Sequence, residues 1–399
     1  MTSLSPDTAP PQRTFASLLV VYMTVFLDLL GFGLILPLLP FYAMHFGAHG
    51  KQIGLLFACF SIAQFFGAPF LGRLSDRIGR RPVLLVCLLG STVSLFATGL
   101  ADTLYTLMAA RGFAGLFGGS IATAQAYVAD VTKPAERTKY MGLIGASIGM
   151  GFVFGPFVGA ELSRFGFGTA AFVAAGLSAA NFLLALFRLK ESLPPSARGQ
   201  SQRTALSVKT LREALSRPVV GPLLIITTGS TLAFVSMEST FALLAKLRFG
   251  FSEQTMGRLF AVVGVMIAVV QGGLIGPLAR RFGEVAIGCV GFLILTIAFG
   301  IIPWMPSREL AIVALLIIAV GQGLLAPTLS TLLSRAVAAT EQGGTLGLSQ
   351  SLGSLSRAIG PIVAGTLFDS AQFLPYLLAS LLAGAMGLYL SRQKDTTAA

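Results

Sequence analysis

Apolar blocks long enough to cross a lipid bilayer recur from Phe15 almost to the end of this 399-residue chain. A helix rises 1.5 Å per residue, so about 20 apolar residues span the hydrocarbon core. Charged residues make up 11% of the chain and hydrophobic ones 54%, whereas soluble domains carry about a quarter charged residues. A water-soluble fold is therefore not expected, and the lipid bilayer is the partner of most of this surface. The formal net charge of +12 does not point to nucleic acid, because the basic residues fall in short gaps between apolar blocks rather than on one soluble surface.

Taking charged, Pro-rich or Gly-rich gaps as boundaries, the pattern predicts twelve transmembrane helices. They lie at 15–42, 53–72, 82–101, 104–130, 140–160, 168–188, 219–244, 255–276, 285–303, 309–334, 343–367 and 372–391. The first apolar run is too long for a signal-peptide core, so it reads as a retained helix. An even count puts both termini on one side. Twenty Lys and Arg residues fall in the gaps on that side against six on the other, which predicts that both termini are cytoplasmic in a plasma membrane, the bacterial inner membrane for such a protein.

A polar tract, 190–217, separates two sets of six helices. The expected organisation is a tail at 1–14, a bundle at 15–189, a linker at 190–217, a bundle at 218–392 and a tail at 393–399. The two bundles repeat one another. At an offset of 204, Gly72, Leu74, Arg77 and Gly79 match Gly276, Leu278, Arg281 and Gly283; at 205, Glu136, Gly142 and Gly155-Pro156 match Glu341, Gly347 and Gly360-Pro361. A duplicated unit suits alternating access, in which a site between repeats is exposed to either side by rocking one bundle on the other.

Cys59, Cys87 and Cys289 lie inside apolar blocks without metal-ligand spacing, so neither a disulfide framework nor a metal site is expected. No phosphate-binding GxxxxGK[ST] loop is present and the two histidines, His45 and His49, share one outer gap. No enzymatic constellation emerges.

The second gap reads GRLSDRIGRRP from Gly72 to Pro82. Gly72 and Gly79 permit a tight turn, Asp76 can accept charge-assisted hydrogen bonds, and Arg77, Arg80 and Arg81 pin the loop to its face. This stretch resembles the loop signature of the major facilitator superfamily. That resemblance implies a lock in which an Arg of the loop bridges to an acid at the cytoplasmic end of the fourth helix, where Asp130 stands. The fifth helix carries Gly142, Gly145, Gly149, Gly151, Gly155, Pro156 and Gly159; small residues at spacings of about four open a groove for a neighbouring backbone. It resembles the antiporter signature of the same superfamily, which implies efflux rather than uptake.

Asp28 sits near the middle of the first helix, where an unpaired carboxylate costs several kcal/mol if ionised. The segment FLDLLGFGLILPLLP resembles the first helix of the tetracycline efflux antiporters, which implies a coupling acid. Arg111, within RGFAGLFGGS on the fourth helix, needs an acceptor, and Asp28 or a backbone carbonyl of a broken first helix is the expected one. Leu316 stands at the matching place of the second half. Glu238, the second embedded acid, either takes part in proton or cationic-substrate binding or pairs with Lys246 or Arg248 near the outer interface. Gln64, Gln125, Asn181, Gln271, Gln322 and Gln350 are candidate cavity-lining groups. Arg357 resembles an Arg preceding Gly-Pro in bacterial members. The second loop copy has Arg280 where Asp is usual, a departure from the family pattern that puts a matching charge lock in the second half in question.

The resemblance spans nearly the whole chain and implies a monomeric, proton-driven exporter of a small organic, drug-like solute, with no bound cofactor. A facilitator or symporter for a sugar, metabolite or lipid, and a sensor or scaffold that transports nothing, are the competing readings.

Overall fold

The computed structural model describes residues 15–132, 134–199, 208–338 and 341–393, and every regular element among them is helical. The expected tails, Lys133 and the middle of the expected linker lie outside the described residues. The first half runs α1 (Phe15–Ile35), α2 (Leu39–His45), α3 (Gly50–Ile78), α4 (Arg80–Gly99), α5 (Leu104–Leu116), α6 (Ser120–Val131), α7 (Pro134–Ser163) and α8 (Phe167–Arg188). After the short α9 (Val208–Ser216) come α10 (Val220–Phe249), α11 (Glu253–Val269), α12 (Ile275–Phe282), α13 (Glu284–Ile301), α14 (Arg308–Arg335), α15 (Gln342–Ser370) and α16 (Leu374–Ser391).

Among the described residues, ten helical stretches are long and apolar enough to cross a membrane. The broken pair α5–α6 packs in the first half and the more polar α15 in the second, an arrangement consistent with twelve passages. Three passages differ from uniform helices. Pro37, which has no N–H to donate, falls in the turn between α1 and α2. The Phe117-Gly118-Gly119 turn breaks α5 from α6, because consecutive glycines have the least to gain from a helix. A π turn at Val270–Leu274 joins α11 to α12. Elsewhere the ends follow ordinary capping chemistry. Thr103 and Ser252 accept the amides of Thr106 and Thr255 at 3.2 Å each, and Gly250 closes α10 at φ +64°.

The predicted second helix stops at residue 72, but α3 continues to Ile78 and takes Asp76 and Arg77 into its last turn. Gly79, at φ +113°, makes the turn instead.

An even number of passages puts the start of α1 and the end of α16 on one face, called here the terminal face. Near the opposite face the halves close on each other along two seams. On α3 and α15, a Cβ at Gly54 would lie 2.0 Å from the Pro361 carbonyl oxygen, and one at Gly365 would lie 2.1 Å from that of Gly50. On α7 and α11, a Cβ at Gly257 would lie 2.6 Å from the Pro156 carbonyl oxygen. Only a missing side chain allows backbones this near. Following the same helix faces toward the termini reverses the picture: Gly149, Gly145 and Gly142 on α7, Gly272 at the π turn and Gly347 on α15 have nothing within 4 Å of an added Cβ. Residues three and four apart share a helix face, so the seams diverge into a wedge-shaped cleft open at the terminal face.

Candidate functional site

Asp28 lies on the stretch of α1 facing α4 and α6. Its carboxylate accepts a hydrogen bond of 3.3 Å from Ser91 Oγ on α4 and a short one from Ser120 Oγ on α6. Ser120 is the first residue of α6, so the break at 117–119 delivers a helix start to this carboxylate, and the positive end of a helix dipole favours negative charge. The break is braced by Gln64 of α3, whose side-chain amide donates to the Gly118 carbonyl at 3.3 Å.

Arg111 is not the partner of Asp28. Its guanidinium, 4% exposed, stands over the rings of Phe60 at 4.7 Å and Phe32 at 5.6 Å, and its Nε donates to nothing among the described residues. The ring faces supply cation–π attraction in place of an acid. Phe32 lies one helical turn from Asp28 on α1, and the Arg111 cation and the Asp28 carboxylate are held by different groups.

In the second half, Glu238 on α10 does not pair with Lys246 or Arg248. Those side chains sit over the rings of Phe41 at 5.3 Å and Phe249 at 5.7 Å. Arg357 of α15 is the cation whose field reaches Glu238, and it donates to Ser354 Oγ at 3.2 Å.

At the terminal face of the first half, Arg80 organises a buried cluster. It donates to Asp76, to Ser75 Oγ at 2.8 Å and, through Nε, to Asp130 Oδ2 at 3.0 Å. Arg77, by contrast, is exposed, and Arg81 reaches the Leu186 carbonyl at 2.8 Å. Beneath them, Glu191 accepts the Arg80 amide at 2.8 Å, the Arg81 amide at 3.2 Å and the Ser192 and Leu193 amides at 2.9 and 3.0 Å. A carboxylate at the start of α4 satisfies amides that a helix start leaves free.

The second half has a counterpart with the signs exchanged. Glu284, first in α13, pairs with Arg335, last in α14, at 2.7 Å. These residues match Arg80 and Asp130 at the repeat offsets of 204 and 205. The loop copy carries Arg280 where the first carries Asp76, and the acid of this ion pair stands at the helix start instead.

Two polar contacts bridge the halves near the face opposite the termini. Asp369 of α15 accepts the Gly50 and Lys51 amides at 2.7 and 2.8 Å, capping α3 across the seam. Arg258 of α11 meets Glu161 of α7 at 2.6 Å.

The antiporter-type glycines divide. Gly155 and Gly159 lie against α1, where an added Cβ would fall 2.8 Å from the Leu30 carbonyl oxygen and 2.2 Å from that of Leu34; Gly145 and Gly149 face open space. Among the uncharged polar residues, Gln125, Gln271 and Gln350 are exposed. Asn181 is buried with neither end of its amide bonded, and Gln322 Oε1 is buried without a donor.

Ser91, Ser120, Glu191 and Asp369 escape sequence reasoning. The Gly-Gly before Ser120 is a local signal of a helix break, and the offset of 204 exposes Glu284. Glu191 and Asp369 act across more than a hundred residues of chain, which no local pattern reveals.

The family model described as Major Facilitator Superfamily matches residues 21–361. The tetracycline resistance protein, class C, of Escherichia coli is 33% identical over 365 residues, covering 89% of this chain and 90% of that protein. Multidrug resistance protein 2 of Bacillus subtilis (strain 168) is 30% identical over 365 residues, covering 90% and 91%. The crystal structure of the human organic anion transporter MFSD10 (TETRAN) superposes with a TM-score of 0.71 at 28% identity, over 95% of this chain and 100% of that one. With its all-helical two-half architecture and this match over most of its length, the chain belongs to the Major Facilitator Superfamily and is a multi-pass membrane transporter rather than an enzyme.

Proposed function

We propose that the protein exports a small amphipathic organic solute in exchange for protons, with both termini cytoplasmic and the cleft therefore open to the inside. The observation that carries this reading is Asp28: a carboxylate placed mid-span, held by hydroxyls from two helices at a helix break, in a bundle that opens on one face only. Similarity to tetracycline and multidrug resistance proteins supports the direction and the kind of solute.

In this scheme solute enters the cleft from the terminal side. The halves then rock about their contact, the seams at Gly54–Pro361 and Gly257–Pro156 part, and Asp28 meets outside protons. Protonation removes the charge that Ser91, Ser120 and the start of α6 stabilise, so the carboxyl loosens from α6. Arg80 with Asp76, Asp130 and Glu191 keeps the terminal end of the first half rigid as it moves. The proton gradient is the energy source, and no bound cofactor takes part.

Reconstitution in liposomes tests the reading. A tetracycline-class or multidrug-class solute accumulates against its gradient when a pH gradient is imposed, and accumulation stops when a protonophore collapses it. Accumulation that continues without the gradient overturns proton exchange.

A further inference from the structure

Where the seams part into the cleft, the two halves present opposite chemistry. On α7 the face that meets α11 at Pro156 continues toward the termini through Phe152, Gly149, Gly145 and Gly142. On α15 the face that meets α3 at Pro361 continues through Arg357, Ser354, Gln350 and Gly347. Steps of three and four keep each set on one helix face, and the two sets match position for position at the repeat offset of 205. Each half therefore contributes one wall, and the residue one turn inside each seam is Phe152 in the first half and Arg357 in the second.

The α7 wall ends in a ring. Phe152 is 38% exposed and meets Phe32 edge-on at 6.2 Å, which in turn packs on Phe60 at 5.4 Å. Neighbours behind fix the ring while one side stays open, and Gly149 and Gly145, with nothing within 4 Å of an added Cβ, leave room beside it. The α15 wall ends in a guanidinium. Arg357 is part-exposed, and its one hydrogen bond among the described residues goes to Ser354 Oγ on its own helix at 3.2 Å. Glu238 acts on it through space without a hydrogen bond. A cation in the middle of a membrane helix is costly unless it faces a cavity or a partner. A guanidinium carries five N–H donors in a planar fork that fits two oxygens of one anion, and most of that fork is unmatched here.

We propose that the inner end of the cleft is a binding site for a flat aromatic solute bearing an oxyanion, with the oxyanion on Arg357 and the ring against Phe152. This names the substrate chemistry for the export reading and rests on it. Offset or edge-on ring contacts suit the open side of Phe152. Because one wall belongs to each half, a solute that touches both draws the halves together on the terminal side, the closure that alternating access requires. Glu238 repels the oxyanion and so limits how tightly it is held.

The test is equilibrium binding to the full chain in detergent, by calorimetry, of 2-naphthylacetate, the alcohol and the amine on the same skeleton, and the saturated decahydronaphthyl acetate. The wild type binds 2-naphthylacetate most tightly. Arg357→Gln weakens that acid at least tenfold and leaves the alcohol within about twofold, and Arg357→Lys restores part of the loss. Phe152→Leu weakens 2-naphthylacetate about fivefold and removes its advantage over the saturated acid. Glu238→Gln tightens both acids. Equal loss of acid and alcohol in Arg357→Gln, unchanged acid binding there, preference for the amine, or an aromatic advantage that survives Phe152→Leu overturns the proposal. Circular dichroism and thermal unfolding of each variant establish that it is folded before binding is compared. Detergent binding needs no gradient, so failed proton coupling with acid recognition intact sinks only the exchange reading. Intact coupling with no preference for the acid sinks only this site.

Discussion

At φ +113° Gly79 turns the chain from α3 into α4, and an added Cβ would lie 2.2 Å from Glu191 Oε2. Both constraints act on Gly79→Ala. The backbone conformation alone costs about 1–3 kcal/mol, and Glu191 must release the amides of Arg80 and Arg81 to make room. We expect a lower unfolding temperature in detergent for Gly79→Ala and no measurable change for Arg77→Ala, whose side chain is exposed. Equal effects would contradict the assignment of the cluster to Arg80. The run of Arg residues was legible in the chain; which of them is buried was not, because α3 runs a turn and a half further than its hydropathy indicates and rotates Arg80, not Arg77, toward Asp130. Asp28 and Glu238 were legible as embedded charges. Their partners were not, since Ser91, Ser120 and the ring faces around Arg111 are common residues whose meaning is positional.

Among the elements, hydropathy reads the twelve passages well because lipid demands long apolar helices. It does not read the breaks at 36–38 and 117–119 or the π turn, since these change hydrogen bonding and leave mean hydropathy unaltered. The short α9 leads into α10 through Arg217, which donates to Glu341 at the start of α15 at 2.8 Å. Arg217 beside it holds the Glu341 carboxyl below its ordinary value of 4.5. A depressed acid stabilises the fold in full above that ordinary value and loses its contribution as pH falls through the lower folded one. Both side chains are exposed, so salt screens the pair. Arg217→Gln should therefore lower the unfolding temperature only slightly, at low salt and neutral pH, and converge with wild type below pH 4.5. A difference that persists in acid would place the stabilisation elsewhere.

Across the whole molecule, two seams closed near one face and open at the other describe one end state of a rocking cycle. Asp369 capping α3 and Arg258 meeting Glu161 favour this state. Gly54→Leu, placing a side chain against the Pro361 carbonyl, forces the outer seam apart. We expect at least a tenfold fall in transport; transport within about twofold of wild type would mean the seam is not a gate. The central claim, that solute leaves as protons enter through Asp28, is tested most directly by proton movement itself: purified protein in weakly buffered detergent solution, with pH recorded as solute is added. Wild type should release protons on binding solute, and Asp28→Asn should bind solute and release none. Equal proton release from both proteins would contradict the account.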